Sequence, residues 1–449
     1  LYGDSNANSL FGNAGDDVIE GREGADYLEG NAGADIINGG ADKDTIYGGA
    51  DNDQLTGGAG NDTLYGEAGL DTLIGSEGDD TFSGGADSDT LTYVSAGSSI
   101  TVTLGNGSTD FGSIVSSTEG TDTLLDHIEI IKGSNYSDNI QGFNGTAIVG
   151  VDYSDTLYGE SNSDIIYGGI GDDTIYGGSG DDIIRGQAGN DVIDGGDNDD
   201  TLDFSDANIG VQVYLDSTDK NNVAVAFEVM EDGFGGKDQV TSIEKIIGSN
   251  NADTIKGDSN KNTISSGDGD DTIIASLGSD TIDGGTHTAG TGGGDWLSFE
   301  ALNSAVTAIM ANGSISDGFG TTNISNIENL LGTILGDTLT GNAKNNTLDG
   351  NAGDDVIDGG AGNDYLLGGE GNDTLSGETG VDKYDGGEGE DTLDFYSTGA
   401  SVSVNLSTTG VLNDGYGNVE TTIISIENLA GTLDYGDTLV GDNNNNKIY

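Results

Sequence analysis

The chain has 449 residues, with 80 acidic and 12 basic side chains and a formal net charge of −68. This charge excludes nucleic acid and anionic membranes as natural partners, because both would repel the chain. Only 33% of the residues are hydrophobic, so we expect the chain without bound cations to be disordered. Cysteine and proline are both absent. The first absence excludes disulfides, and the second suits continuous β-ladders that need every backbone N–H.

The first 92 residues repeat every nine positions. Glycine opens each repeat, at Gly3, Gly12, Gly21, Gly30, Gly39, Gly48, Gly57, Gly66, Gly75 and Gly84. Seven residues later stands a large apolar residue, at Leu10, Ile19, Leu28, Ile37, Ile46, Leu55, Leu64, Leu73, Phe82 and Leu91. Glycine permits a sharp turn, and the apolar residue is the inward-pointing middle of a three-residue strand. Two repeats therefore make one coil of about eighteen residues.

Five residues after each glycine stands an acid or, at Asn8, its amide. If coils stack at strand spacing, these acids form two rows, one of Asp17, Asp35, Asp53, Asp71 and Asp89 and one of Asp26, Asp44, Asp62 and Asp80. Neighbouring carboxylates about 4.8 Å apart would repel by about 3.5 kcal/mol at an effective dielectric of 20, so the rows need counter-ions. Carboxylate and carbonyl oxygens without nitrogen or sulfur ligands favour calcium over magnesium or zinc.

The nine-residue pattern returns in three further blocks. The second carries Asp155, Asp164, Asp173, Asp182, Asp191 and Asp200, the third Asp253, Asp271 and Asp280, and the fourth Asp337, Asp355, Asp364, Asp373, Asp382 and Asp391. We expect regular blocks at 1–92, 150–203, 248–285 and 332–394, separated by irregular coils at 93–149, 204–247 and 286–331 and followed by irregular coils and the start of a further block at 395–449.

The breaks between blocks resemble one another, so the chain contains about four longer repeats. Alternating runs such as Ile100–Leu104, Val211–Leu215 and Val402–Leu406 predict half-buried strands. An Ile-Glu pair then precedes a Gly-Ser or Gly-Thr step, with the glutamates at Glu129, Glu244, Glu328 and Glu427. We expect each glutamate to accept backbone hydrogen bonds where the coil changes length, in preference to binding metal or catalysing a reaction. The breaks are interpreted as longer coils of one solenoid.

Asparagine takes the acid position shortly after several breaks, at Asn8, Asn262, Asn346 and Asn446. We expect these coils to bind the cation weakly. No catalytic motif accompanies His127 or His287, and we expect no enzyme within these residues. Trp296, the single tryptophan, is expected to pack over the end of a block, with ligand recognition as the alternative.

The segment Gly57-Gly58-Ala59-Gly60-Asn61-Asp62-Thr63-Leu64-Tyr65 matches the pattern G-G-x-G-x-D-x-U-x at every defined position. It resembles the RTX, or haemolysin-type, calcium-binding nonapeptide repeat. The resemblance implies an all-β parallel β-roll in which six residues form a calcium-binding turn and three a strand. It also implies that all the aspartates named above are metal ligands, with about one Ca²⁺ per regular repeat, and that the protein is exported by type I secretion.

The function expected from these features is an extracellular or cell-surface calcium-binding array that folds on binding Ca²⁺ and serves as a surface layer, matrix fibre, filament or adhesin stalk. The chain begins and ends in phase with the repeat, like a piece of a longer array. Tyrosines such as Tyr47 and Tyr65 should stack into a stripe through which rods associate. Two alternatives are the secretion and folding module of an enzyme or toxin and, less favoured, an ice- or polysaccharide-binding solenoid.

Overall fold

The computed structural model describes residues 1–105, 112–126, 128–142, 153–215, 228–286, 293–316, 320–408, 410–417, 419 and 422–449. His127 and His287 lie outside the described residues. Two units are distinguished. The first contains Leu1–Phe204 and Glu228–Lys245, and the second contains the described residues of Ser205–Phe227 and Ile246–Tyr449. Within the described part of the chain, the regular elements are β-strands and two 3₁₀ turns, and no helix has the length and apolar character needed to cross a membrane.

The strands of the first unit follow one another at short intervals. They are β1 Ser9–Ala14, β2 Val18–Glu23, β3 Tyr27–Ala32, β4 Ile36–Ala41, β5 Thr45–Ala50, β6 Gln54–Ala59, β7 Thr63–Ala68, β8 Thr72–Ile74, β9 Thr81–Ala86, β10 Thr90–Thr92, β11 Ile100–Leu104, β12 Gly112–Ser116, β13 Gly120–Leu124, β14 Ile130–Lys132, β15 Asn139–Gln141, β16 Thr156–Ser161, β17 Ile165–Ile170, β18 Thr174–Ser179, β19 Ile183–Ala188, β20 Val192–Asp197, β21 Thr201–Asp203, β23 Glu228–Glu231 and β24 Asp238–Thr241.

The second unit has shorter strands and two 3₁₀ turns, Met310–Asn312 and Leu406–Thr408. Its strands are β22 Gln212–Tyr214, β26 Thr254–Lys256, β27 Thr263–Ser265, β28 Thr272–Ile274, β29 Thr281–Asp283, β30 Trp296–Ser298, β31 Thr307–Ile309, β32 Ser314–Ser316, β33 Thr321–Ser325, β34 Asn329–Leu331, β35 Thr338–Thr340, β36 Thr347–Asp349, β37 Val356–Asp358, β38 Tyr365–Glu370, β39 Thr374–Ser376, β40 Lys383–Glu388, β41 Thr392–Asp394, β42 Ser403–Asn405, β43 Gly410–Asn413, β44 Thr422–Ile424, β45 Asn428–Ala430 and β46 Thr438–Val440. Strand β25, Lys245–Ile247, contains residues of both units.

Strands of successive coils pair in parallel, eighteen residues apart. Strand β5 pairs with β7 so that Ile46 lies beside Leu64, and β4 pairs with β6 so that Ile37 lies beside Leu55. This register confirms the predicted parallel β-roll with two repeats per coil. It places the eighth position of each repeat on the inner face, where Ile37, Ile46, Leu55 and Leu64 are each 0% exposed.

Many strands are longer than the three residues predicted. Strand β5 runs through Gly48 and Gly49 to Ala50, and Gly49 lies opposite Glu67 in the next coil. The pairing continues because the turn residues of successive coils also stack in register. Gly49 has a positive φ of 124°, and a Cβ there would overlap the carbonyl oxygen of Asn31 in the coil before. The first residues of the predicted turn therefore belong to the strand.

The breaks contain antiparallel pairs as well as parallel ones. Strands β11, β12 and β13 form an antiparallel meander, yet β11 also pairs in parallel with β15. In the second unit, β31, β32 and β33 repeat this arrangement, and β31 pairs in parallel with β35. The half-buried strands predicted at Ile100–Leu104, Val211–Leu215 and Val402–Leu406 are found as β11, β22 and β42. The breaks that contain β11–β13 and β31–β33 therefore each insert a hairpin into a coil whose outer strands continue the parallel stack.

Candidate metal centre

The aspartates at the sixth repeat position form buried rows. In the first block, the backbone N–H of each row aspartate from Asp17 to Asp71 donates to Oδ1 of the aspartate eighteen residues later, at 2.7 to 2.9 Å. Both predicted rows, Asp17 to Asp89 and Asp26 to Asp80, are therefore present. The same bond links Asp155 to Asp173 and Asp173 to Asp191, and in the second unit it links Asp355 to Asp373.

The second carboxylate oxygen of most of these aspartates has no hydrogen-bond partner. Oδ2 is buried and unpartnered in Asp26, Asp35, Asp44, Asp53, Asp62, Asp71, Asp89, Asp164, Asp173, Asp182, Asp191, Asp200, Asp271, Asp355, Asp364, Asp373 and Asp391. These side chains are at most 3% exposed. Buried polar atoms in folded proteins are almost always paired, so an unpartnered oxygen that recurs at the same repeat position indicates a site that suits a ligand.

The remaining predicted ligands have other surroundings. Asp17 is partly exposed. Ser76 and Ser276 donate to Asp80 and Asp280, and Tyr384 donates to Asp382. Asp155, Asp253 and Asp337 are buried and engaged in other interactions.

At the opening glycine of many repeats, the orphan carboxylate lies beside a main-chain carbonyl oxygen of a neighbouring coil. A Cβ built on Gly48 would lie 2.5 Å from Oδ2 of Asp53 and 2.8 Å from the carbonyl oxygen of Gly66. Glycine is thus required because a side-chain carboxylate oxygen and a main-chain carbonyl oxygen occupy the space that a Cβ would need. In the described residues, no three acidic or histidine side chains converge to hold a metal ion. A cation between coils would therefore need carbonyl oxygens beside the carboxylates.

Burial makes the ionised carboxylates unstable without a counter-ion. Burial raises the pKa of Asp173 to about 9, with Asp155 and Asp191 adding repulsion, although the hydrogen bond from Asp155 lowers it. Burial likewise raises the pKa of Asp164 and of Asp355 to about 8. Either a proton or a cation must neutralise such groups. The all-oxygen donor set and its mixed carboxylate and carbonyl character fit calcium, which accepts irregular oxygen coordination.

The glutamates of the Ile-Glu pairs close the rows. Oε2 of Glu129, Glu244, Glu328 and Glu427 accepts the backbone N–H of the last aspartate in a row, from Asp89, Asp200, Asp295 and Asp391 respectively, at 2.9 to 3.3 Å. The prediction that these glutamates accept backbone hydrogen bonds where the coil changes length is confirmed. In geometry, each takes the place of the next aspartate.

The Gly-Ser and Gly-Thr steps that follow have a role that the sequence did not reveal. Ser249 donates its backbone N–H to Oδ2 of Asp253 at 2.6 Å and its hydroxyl to Oδ1 at 2.7 Å. Equivalent pairs of bonds join Ser134 to Asp138, Thr333 to Asp337 and Thr432 to Asp437. We call these four aspartates the capped aspartates. Their oxygens are satisfied by the protein itself at the start of one row after each break.

Two of the asparagines at the acid position, Asn346 and Asn446, are also satisfied locally. Oδ1 of Asn346 accepts the N–H of Asn342 at 2.8 Å, and its amide donates to the carbonyl oxygen of Glu328. Asn446 makes the same two bonds with Asp442 and Glu427. Whether these coils bind calcium weakly stays a prediction.

Several buried aspartates that belong to the rows are not predicted by the nine-residue spacing. Asp122, Asp238 and Asp295 accept the N–H of Asp80, Asp191 and Asp271 at separations of 42, 47 and 24 residues. Each stands two residues before a buried apolar residue, as in Asp122-Thr123-Leu124. The pattern Asp-x-apolar, read without the nine-residue period, would have found them.

Trp296 lies in β30, partly exposed. It lines an open cavity of about 330 Å³ with Thr272, Ser298 and Leu331 in the second unit. It pairs through the backbone with Thr272 and Asn329, so the third block continues past it. The expectation that it packs over the end of a block is therefore wrong, because another strand follows on that side.

Comparison with protein-family models identifies the same nine-residue repeats that carry the rows of aspartates. The family model described as RTX calcium-binding nonapeptide repeat (4 copies) matches residues 2–37, 21–55, 29–64, 56–91, 149–184, 176–208, 247–282, 331–366 and 359–393. These overlapping matches cover more than half of the chain and all four regular blocks. A search of curated proteins gives no match. The chain, with its parallel β-roll and rows of orphaned carboxylates, belongs to the family of RTX calcium-binding nonapeptide repeat proteins.

Proposed function

We propose that this chain is an extracellular calcium-binding array that folds when Ca²⁺ binds between its coils and then serves as a structural element. The observation that carries the proposal is the recurrence of buried carboxylate oxygens without partners, such as Oδ2 of Asp53 and of Asp173. Oδ2 of each of these two aspartates lies beside a carbonyl oxygen of the neighbouring coil, so a cation held there would take ligands from two coils. The ligands are the aspartates with orphan oxygens, at about one ion per regular repeat.

Calcium binding and folding are one event under this proposal. A net charge of −68 with few apolar residues disfavours any compact state without cations. The core offers only a single inward residue per repeat, such as Ile46 or Leu64. A site that exists only between stacked coils cannot form in an unfolded chain, so the free energy of binding becomes free energy of folding. Calcium is scarce in the cytosol and abundant outside cells, which supports folding after export.

The structural role is supported by how the rows begin and end. The capped aspartates start a row without needing a cation, and the glutamates of the Ile-Glu pairs terminate one. Four repetitions of this arrangement extend the array rather than build a pocket. Aromatic rings also stack on the outside of the first unit, with 4.7 Å between the centroids of Tyr47 and Tyr65 on one sheet and of Tyr158 and Tyr176 on the other. Such stacked rings suit side-by-side association of the arrays.

Calcium titration of the full chain tests the proposal. Far-ultraviolet circular dichroism should report disorder in EGTA and β-structure after millimolar calcium is restored, whereas equimolar magnesium should not restore it. A spectrum unaffected by EGTA would contradict calcium-coupled folding. Electron microscopy and sedimentation in calcium then measure association. A catalytic domain encoded beside residues 1–449, in place of further repeats, would favour the alternative of a secretion and folding module.

A further inference from the structure

A loop in the second break carries a buried carboxylate that no nonapeptide position explains. The loop runs Asp232-Gly233-Phe234-Gly235-Gly236-Lys237-Asp238. Oδ1 of Asp232 accepts the backbone N–H groups of Phe234 at 2.7 Å, Gly235 at 2.8 Å and Gly236 at 2.9 Å. The side chain is 1% exposed, and its Oδ2 is buried without a hydrogen-bond partner. One oxygen therefore builds the loop, and the other is held ready for a ligand.

This orphan oxygen faces the end of a row in the same unit. Asp238 accepts the backbone N–H of Asp191 through Oδ1 at 3.0 Å, and both aspartates are 0% exposed with an unpartnered Oδ2. A Cβ on Gly236 would lie 2.6 Å from Oδ2 of Asp232 and would overlap the carbonyl oxygen of Gly189. At Gly236, as at Gly48, a carboxylate oxygen therefore lies beside a carbonyl oxygen of another coil. The carboxylate at Gly236 belongs to Asp232, which is outside the nonapeptide pattern.

The three acids of this region share one feature. Asp191, Asp232 and Asp238 are each buried with an Oδ2 that has no hydrogen-bond partner. A buried carboxylate without a partner is costly unless a positive charge or a proton neutralises it.

We propose that Asp232, together with Asp191 and the carbonyl oxygen of Gly189, binds an additional divalent hard cation, namely Ca²⁺, that joins the irregular loop to the last regular coil of the second block. The site rests on the proposed calcium binding of the rows, since Asp191 belongs to one. Its donors are two carboxylates and a carbonyl, with Asp238 supplying further negative charge. Calcium accepts such a mixed set, whereas magnesium requires a tighter octahedron.

The same loop recurs in the fourth break, which supports a built feature. Asp414, 1% exposed, accepts the N–H groups of Tyr416 and Gly417 through Oδ1, both at 2.9 Å. Similar sequences occur at 110–112 and 317–320, mostly outside the described residues. Each of the two described loops therefore has a buried aspartate whose Oδ1 accepts backbone N–H groups of its own loop.

Anomalous diffraction from the calcium-loaded full chain tests the site. We expect an anomalous peak between Oδ2 of Asp232 and the carbonyl oxygen of Gly189, in addition to peaks along the Asp355 row. Peaks along the rows with none at Asp232 would overturn this inference and leave the proposed function standing. An absence of peaks at both places would overturn both.

The variant Asp232→Asn removes the charge and keeps the Oδ1 acceptor of the loop. It should bind one calcium ion fewer per chain, counted by native mass spectrometry, than both the unaltered chain and Asp51→Asn. Asp51 is an exposed acid of the same unit whose φ of 77° suits asparagine, so this control makes the same charge change. An unchanged ion count in Asp232→Asn would contradict the assignment. If Asp232→Asn does not fold, the diffraction peak of the unaltered chain alone decides.

Discussion

Protons should replace calcium as the neutralising ions when calcium is removed and the pH is lowered. The folded state buries rows of carboxylates whose Oδ2 atoms have no partner, and either ion can neutralise them. We therefore expect the chain in EGTA to be disordered near neutral pH and to regain β-structure in mild acid. The perturbation is a pH change alone, so no side chain is altered.

The magnitude follows from single residues. Burial raises the pKa of Asp191 from 3.8 to about 7. Each pKa unit corresponds to about 1.4 kcal/mol, so keeping this one carboxylate ionised costs the metal-free fold about 4 kcal/mol. The pKa is raised further in Asp173, to about 9, and in Asp355, to about 8. The net stability of a typical domain is about 5 to 15 kcal/mol. The summed cost of keeping a few such carboxylates ionised exceeds this, so we expect the metal-free fold to be unstable near neutral pH.

The direction of the effect follows from the raised pKa values. The folded state holds these protons more tightly than the unfolded state, whose aspartates titrate near 3.8. Their contribution to stability is intact below about pH 4 and is lost as the pH rises through the folded-state pKa values of about 6 to 9. For the same reason, protons compete with calcium. The calcium concentration at the folding midpoint should be higher at about pH 5.5 than at about pH 7.5.

Far-ultraviolet circular dichroism of the full chain in EGTA, recorded between about pH 8 and pH 4, measures the effect. The calcium-loaded chain over the same range is the control. Sedimentation velocity identifies aggregation, which is a concern because the sequence pI is near 4.1. A chain in EGTA that stays disordered at about pH 5, or that is already folded at about pH 8, would refute the reasoning.

Two further predictions concern the turn and the core. Gly48→Ala should destabilise the calcium-loaded chain by about 1 to 3 kcal/mol and raise the calcium concentration at the folding midpoint, because the new Cβ enters the space beside Oδ2 of Asp53. The control is Gly399→Ala, because no atom lies within 4 Å of a Cβ built there. Ile46→Ala should cost about 2 to 5 kcal/mol in calcium, because Ile46 is 0% exposed, whereas Ile36→Ala at a 51% exposed side chain should cost less than about 0.5. Urea denaturation in calcium measures both, and equal losses in variant and control would contradict the assigned packing.

Much of the fold could be predicted because the repeat restates each structural rule many times. A glycine, an acid and an apolar residue at constant spacing predict a turn, a ligand and a core residue. In the structure, Gly48 lies in close backbone contact, Asp53 has a buried Oδ2 without a partner and Leu55 is buried. Strand length was underestimated, because pairing of turn residues between coils depends on stacking and leaves no mark within one repeat.

The site was predictable only where the spacing is regular. Asp122 and Asp238 join rows across 42 and 47 residues, and no periodicity links them to Asp80 and Asp191. The capped aspartate Asp253 matches the repeat as well as Asp271 does, yet Ser249 satisfies both of its oxygens while Oδ2 of Asp271 has no partner. A serine after the glycine is unremarkable in sequence, and its effect depends on the direction of its hydroxyl.

The sequence by itself determined the periodicity, the inward apolar column and the need for a cation, because these depend on residue type and spacing alone. Only the tertiary structure decided which carboxylates have no partner, since that depends on donors supplied by other coils and breaks. Asp173 and Asp337 occupy the same repeat position, but Asp173 keeps an unpartnered Oδ2 and Asp337 receives hydrogen bonds from Thr333. A buried charge is a ligand only where the surrounding chain leaves it unsatisfied.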